Sequence, residues 1–254
     1  MSNLDSLSNR KKHNVEGIEI YFAEKILSDR KYIIFGEEET YHILKVMRHC
    51  LGDKIYATDG EGNLYEAIIR TITNKESQAE IIQRIFFENP LEKIFFWIPS
   101  LKNAERLENA IEKCVELGIT NFILYKAQRS IGKNFKIERL KKIGVSAIKQ
   151  STRFYIPKFD IVEKISDYNF KKKELILFFD QFSGKKMSEF YLREKMSEYE
   201  KLHCIFGPEG GLSEKEMDIE AQYKDVITVS TARLRSDTAI ISAASLMSCY
   251  LLEF

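Results

Sequence analysis

No Cys-x-x-Cys occurs in this chain. Its four cysteines (Cys50, Cys114, Cys204, Cys249) and its four histidines are scattered, so neither a zinc-ligand pattern nor a disulfide framework is present, and no metal is expected. The cysteines read as reduced, mostly buried thiols of a cytoplasmic protein. Gly-x-x-x-x-Gly-Lys-Ser/Thr and Gly-x-Gly-x-x-Gly are also missing, which removes motif support for a phosphate-cradling nucleotide site. Long apolar runs are lacking too. The longest, Ala239 to Leu252, is interrupted by serines and falls short of the roughly 20 residues a membrane span needs, so the expectation is a soluble protein without a membrane partner. Net charge is nearly absent: 39 Lys and Arg against 38 Asp and Glu give +1, so any binding of nucleic acid must come from local patches. The polar first residues carry Arg10-Lys11-Lys12 with no apolar core behind them, which is not a signal peptide; residues 1–17 are expected to be a disordered tail.

The apolar share of 44% and charged share of 30% are those of an ordinary globular protein, and 254 residues suffice for one large domain or two smaller ones. Residues 18–88 read as mainly β. Ile18 to Phe22, Lys31 to Phe35, Lys54 to Thr58, Asn63 to Ile72 and Gln78 to Phe87 are Ile-, Tyr- and Phe-rich runs, separated by turn signals such as Asp59-Gly60-Glu61-Gly62. One helical piece, Tyr41 to Arg48, interrupts them. A small barrel or sandwich follows, a common form of RNA-binding module. Asn89-Pro90 marks a boundary. From residue 91 to 254 strands alternate with helices: strands at 93–98, 122–125, 175–179, 202–206 and 226–229, and helices at 104–117, 137–150, near 185–199 and at 238–252. Such alternation predicts an α/β domain with a largely parallel sheet.

The most informative stretch runs from Cys204 to Glu216. An apolar run stops in Gly207-Pro208-Glu209-Gly210-Gly211, and Ser213 with Glu216 three residues on forms a capping box that should start a helix. Strand, glycine-rich turn and helix form the geometry in which an α/β sheet holds a ligand at the carboxyl ends of its strands. Glu209 inside the turn argues against a phosphate and for a neutral or cationic ligand. The plain alternative is a tight turn that happens to be glycine-rich. A second segment, Thr231 to Thr238, carries Arg233, Arg235 and Asp237 from strand to helix, and a parallel sheet puts it on the same rim; Ser236 or Asp237 would cap the helix. Residues 126–158 hold ten Lys or Arg against one acid, Glu138, which suits either a phosphate-contacting face or a solvated helix face. The last helix has no charge from Thr238 to Leu252 and so must be covered all round, by its own core or by a second subunit.

Gly207-Pro208-Glu209-Gly210-Gly211-Leu212-Ser213 and Leu234-Arg235-x-Asp237-Thr238-Ala239 resemble the two C-terminal signatures of the RsmE-type small-subunit ribosomal RNA methyltransferases, of the SPOUT class. The likeness extends to His42-x-x-x-Val46-x-Arg48, Gly52-Asp53, Lys113-x-x-Glu116-Leu117-Gly118, Arg129-Ser130 and Gln150-Ser151-x-Arg153 with Pro157. The chain departs from the pattern at Ser230, Arg233 and Asp237, where that family usually has glycine, an aliphatic residue and glutamate, and it has Glu19 or Ile20 where the family tends to carry an arginine.

The resemblance implies a SPOUT-type knotted parallel sheet (91–254) behind an N-terminal PUA-like RNA-binding β-barrel (18–88), working as a homodimer. It implies methyl transfer from S-adenosyl-L-methionine to N3 of a uridine in small-subunit ribosomal RNA, within an assembled or partly assembled subunit. Gly207, Glu209, Gly210, Gly211, Val229, Leu234 and Thr238 would hold the cofactor, with Phe179 and Asp180 as the opposite wall. Arg235 would stabilise the uridine anion or a neighbouring phosphate, and Asp237 would take the proton, with helix capping as the rival role. Arg48, Lys102, Arg106, Arg129 and Arg153 would line the RNA path. The competing readings are another SPOUT activity, such as ribose 2′-O or guanine N1 methylation, and a non-catalytic RNA-binding assembly protein.

Overall fold

The computed structural model describes residues 18–27, 31–73, 75–132, 134–181, 185–187, 198–220 and 223–252. The expected tail at 1–17, Lys133 and most of the expected helix near 185–199 lie outside them. The chain divides into two compact units. The first takes the described residues up to Asn89 together with Val145–Ile156, and the second takes Pro90–Gly144 and the residues from Pro157 on.

The first unit is a six-stranded sheet in the order β1-β4-β5-β6-β3-β2, curled into a half-barrel. Its strands are β1 (Ile20–Phe22), β2 (Lys25–Ile26), β3 (Tyr32–Phe35), β4 (Lys54–Thr58), β5 (Asn63–Ile72) and β6 (Ser77–Phe86). The turn-separated runs read from the sequence become strands here, and β2 is an addition too short to show a period. Alternation puts Ile33, Phe35, Ile55, Ala57, Ala67, Ile69 and Ala79 in one core. The expected helix at 41–48 starts and ends earlier and is of a different kind: α1 (Glu37–Tyr41) runs into one π-helical turn, His42–Val46, and Arg48 follows with φ of 59°. Ile43 anchors that turn in the core.

Val145–Ile156 joins this unit through the glycine turn at 59–62. The amide of Gly62 donates to Phe154 O at 2.7 Å, the amide of Ile156 donates to Gly60 O at 2.9 Å, and Phe154 stacks on Phe87. A Cβ at Gly62 would stand 2.3 Å from the Tyr155 hydroxyl, so the turn doubles as a socket.

The second unit is a six-stranded parallel sheet in the order β12-β10-β11-β7-β8-β9. Its strands are β7 (Ile94–Pro99), β8 (Asn121–Tyr125), β9 (Lys158–Val162), β10 (Glu174–Phe179), β11 (Lys201–Phe206) and β12 (Tyr223–Ile227). The interior strand β10 is buried along its whole length, as its unbroken apolar run requires in a sheet covered on both faces. Its helices are α2 (Ala104–Glu116), α3 (Ile137–Gln150, shared with the first unit), α4 (Glu214–Met217) and α5 (Ser236–Leu252). Helix α2 starts where Asn103 Oδ1 accepts the amides of Glu105 and Arg106, and stops at Gly118, φ 97°. Helix α5, without charge after Asp237, buries Ile240, Ala243, Ala244 and Met247, while Ser245 and Cys249 stay exposed. No helix among the described residues is long and apolar enough to cross a membrane.

Candidate functional site

Parallel strands deliver their following loops to one rim. The loops after β10, β11 and β12 meet there around a cavity of about 440 Å3. Phe179, Asp180 and Gln181 come from the first loop, Phe206 to Glu209 with Gly211 and Leu212 from the second, and Ile227 to Ser230 with Ala232 to Asp237 and Ala239 from the third; Arg106 of α2 completes the lining. The two sequence motifs, more than twenty residues apart, therefore share one cavity. Of the expected cofactor residues, Phe179, Gly207, Glu209, Gly211, Val229 and Leu234 line it, as do the expected catalytic pair Arg235 and Asp237. Gly210 and Thr238 are not in the lining.

The three glycines of the turn serve three different ends. A Cβ at Gly207 would meet the backbone of Leu212 and Gly211 at 3.1–3.2 Å, so the chain closes on itself there at the cavity wall. Gly211 has open space but φ of 71°, a conformation that disfavours any other residue. At Gly210 the missing side chain makes room for another residue: a Cβ would lie 3.1 Å from Cβ of Arg129. The capping box forms as its spacing predicts. Ser213 Oγ accepts the Glu216 amide at 3.3 Å, and Glu216 Oε2 accepts the Ser213 amide at 2.8 Å, opening α4.

Charges around the cavity are balanced, with carboxylates from Asp180, Glu209 and Asp237 against guanidiniums from Arg106, Arg233 and Arg235. Asp237 is buried and accepts from Arg235 Nη2 at 3.0 Å, so the carboxylate nominated as proton acceptor is committed to the arginine nominated as electrostatic partner. Asp237 lies inside the first turn of α5, in which the Ala239 amide donates to Arg235 O at 2.9 Å. Glu209 Oε1 accepts the amide of Lys102 at 3.1 Å, so Lys102 meets the site through its backbone. Arg129, expected on the RNA path, donates from Nη1 to Gly210 O at 3.0 Å and to Leu212 O at 3.5 Å. Arg48 and Arg153 belong to the first unit. Asp180, expected as part of the opposite wall, lines the cavity, as does Ser230, noted only as a departure from the family pattern; Gln181 was not singled out, and its only signal was a place directly after a strand.

An α/β unit with its cavity at the carboxyl ends of parallel strands, preceded by a curled β unit, is a recognisable class of protein. Residues 87–248 match the family described as RNA methyltransferase domain and residues 35–82 the RNA methyltransferase PUA domain, so the chain belongs to the RNA methyltransferase family. Within it the resemblance to the RsmE type holds along the chain. It is 23% identical over 234 residues to ribosomal RNA small subunit methyltransferase E of Aquifex aeolicus, covering 90% of this chain and 98% of that protein. To the protein of the same name from Bacillus subtilis it is 26% identical over 226 residues, 83% of this chain and 87% of the relative. The crystal structure of the Neisseria gonorrhoeae enzyme of that name, bound to S-adenosyl methionine, shares the fold with a TM-score of 0.75 at 23% identity, covering 91% and 96% of the two chains. The fold is accordingly SPOUT-type with a PUA-like N-terminal domain.

Proposed function

We propose that the chain transfers the methyl group of S-adenosyl-L-methionine to N3 of a uridine in small-subunit ribosomal RNA. The observation that carries this reading is the cavity at the ends of β10, β11 and β12. Its size suits a cofactor of that class. Its closed backbone at Gly207 presents main-chain groups to a ligand without side chains in between. Its equal numbers of carboxylates and guanidiniums suit a ligand that carries an ammonium, a sulfonium and a carboxylate together. Phe179, Phe206, Leu212, Ile227 and Leu234 provide apolar surface for an adenine ring. The names of the relatives supply the ribosomal substrate.

When bound, the cofactor supplies a methyl group already activated on a positive sulfur. The protein's task is then to align donor and acceptor and to accommodate the charge on the base. Uridine N3 gives up a proton, and the negative charge that develops calls for a fixed cation. Arg235 is that cation, and Asp237 holds its guanidinium in place through their 3.0 Å ion pair. Asp237 is also the candidate acceptor for the N3 proton. Because N3 lies on the pairing edge, the target base must be unpaired or extruded. Arg106 and Arg233 stand at the same cavity to meet the phosphates beside it. The exposed Ser245 and Cys249 of helix α5, which has no charge after Asp237, favour a second copy of the chain as its cover, giving a homodimer.

Nucleoside mass spectrometry of ribosomal RNA from a strain lacking the gene tests the activity. Loss of one 3-methyluridine from the small subunit is expected. Loss of a 2′-O-methylated or N1-methylated guanine nucleotide instead would reassign the reaction, and an unchanged profile would leave an RNA-binding protein without chemistry.

A further inference from the structure

Arg129 sits in a lysine- and arginine-rich segment, which invites the reading of an RNA contact. Its side chain does something else. From Nη1 it donates to Gly210 O at 3.0 Å and reaches Leu212 O at 3.5 Å, and its stem fills the space that Gly210 leaves by lacking a Cβ. The loop that carries it is itself held. Ser130 donates its amide to Ala127 O at 2.9 Å, and its Oγ accepts the Ala127 amide at 3.2 Å. A Cβ on Gly132 would stand 2.2 Å from Leu101 O, so the loop after β8 lies hard against the loop after β7. A return contact runs the other way, from the Gln128 amide to Glu216 Oε1 at 2.7 Å. The opposite carboxylate oxygen of Glu216 holds the Ser213 amide at 2.8 Å.

The glycine turn is thus tied on both sides to a loop that does not line the cavity. A segment with three glycines in five residues has little stiffness of its own, and ordering it when a ligand arrives costs conformational entropy. We infer that Arg129 is a positioning residue that pre-shapes the Gly207–Leu212 turn for the cofactor, with Glu216 as its counterpart, and is not a ligand of RNA phosphate. The inference rests on the reading of the cavity as the cofactor site.

The full-length chain is compared with its Arg129→Ala variant in two titrations: S-adenosyl-L-methionine by calorimetry, and small-subunit ribosomal RNA over a range of salt concentrations. Arg129→Ala should weaken cofactor binding roughly tenfold, the scale of one charge-assisted hydrogen bond in an exposed setting. It should leave the slope of log affinity for RNA against log salt unchanged. At saturating cofactor kcat should stay near wild type while the cofactor KM rises. Loss of overall stability alone would lower the melting midpoint without moving the cofactor Kd of the folded protein, and would overturn the inference. Unchanged cofactor affinity with a slope shallower by about one would equally overturn it, by returning Arg129 to the RNA path. Should Arg129→Ala fail to fold, Gly210→Ala presses on the Arg129 stem from the other side and should give the same selective loss of cofactor affinity. If wild type itself does not bind the cofactor, the proposed function falls; if wild type binds it and Arg129→Ala binds it equally, only the positioning role falls.

Discussion

The indole N–H of Trp97 donates to Nδ1 of His203 at 2.9 Å, in a pair of fully buried side chains on neighbouring strands β7 and β11. That bond leaves Nε2 of the neutral ring to carry the proton, and Nε2 faces Glu174 Oε2 at 3.4 Å. Phe95 stacks on the imidazole, and Tyr168 and Phe170 contact it edge-on, so the cluster is mostly aromatic.

Acid should weaken this cluster in two stages. Burial lowers the pKa of His203, so below about 6.5 the unfolded chain takes up a proton that the folded chain refuses, and stability falls as pH drops from there. For Glu174, burial alone would raise the pKa, but the adjacent imidazole of His203 and the Lys171 amide, which donates to Oε2 at 2.9 Å, outweigh it and hold the carboxyl down at about 2. Its contribution is therefore present above its ordinary range and lost as pH falls toward about 2. Urea midpoints measured from pH 8 to 3 should decline from near 6.5 downward. A His203→Gln variant should show a flatter upper stage; an equally steep one would place the proton uptake elsewhere.

Cofactor affinity should depend sharply on Gly207. In Gly207→Val the new side chain meets backbone at 3.1–3.2 Å, which cannot yield as a side chain would. Calorimetry should show binding of S-adenosyl-L-methionine reduced by at least about 100-fold, comparable to 3 kcal/mol. Unaltered affinity would put the cofactor somewhere other than this turn.

Removing the guanidinium of Arg235 should stop chemistry while sparing the cofactor. Methyl incorporation by Arg235→Ala is expected to fall by about 100-fold or more, with cofactor Kd within about threefold of wild type. Asp237→Asn should be impaired as well, through the loosened arginine and the missing proton acceptor. Undiminished turnover in Arg235→Ala would remove it from the mechanism.

Arg106 and Arg233 line the cavity with no guanidinium partner among the described residues, in contrast to Arg129 and Arg235. Each should contribute about one unit to the salt slope of RNA binding. Arg106→Ala and Arg233→Ala are each expected to flatten the slope by about that amount, which a filter-binding series at several salt concentrations measures. Asn103→Ala, which strips the cap that orients the first turn of α2, should cost about 1 kcal/mol of stability and soften the Arg106 contribution as well.

Much of the architecture was legible because period and punctuation are local. Strands β4 and β5 and helix α3 begin and end where the residue pattern says, Gly118 ends α2 through a backbone conformation that favours glycine, and the Ser213–Glu216 box starts α4 by its own side-chain chemistry. Strand β9 was not read, because Lys158–Val162 is an edge strand whose exposed Lys158, Asp160 and Ile161 break the apolar alternation. The π-helical turn at His42–Val46 was taken for ordinary helix, since one extra residue per turn leaves no mark in so short an apolar pattern. Val145–Ile156 looked like part of the second domain, and only its contacts with Gly60, Gly62 and Phe87 place it with the first unit.

Residue order was enough to establish a glycine-rich turn between a strand and a helix, a second loop bearing two arginines and an aspartate, and the succession of strands that puts both on one rim. Those follow from steric and hydrogen-bonding preferences that act over a few residues. Which arginine faces the cavity and which straps its wall is not written at that range. Arg129 and Arg233 are the same side chain in similarly basic surroundings, and the folded chain gives one to the carbonyls of Gly210 and Leu212 and the other to the cavity. That assignment depends on how closely three loops from distant parts of the chain approach one another, a long-range packing outcome that no local pattern encodes.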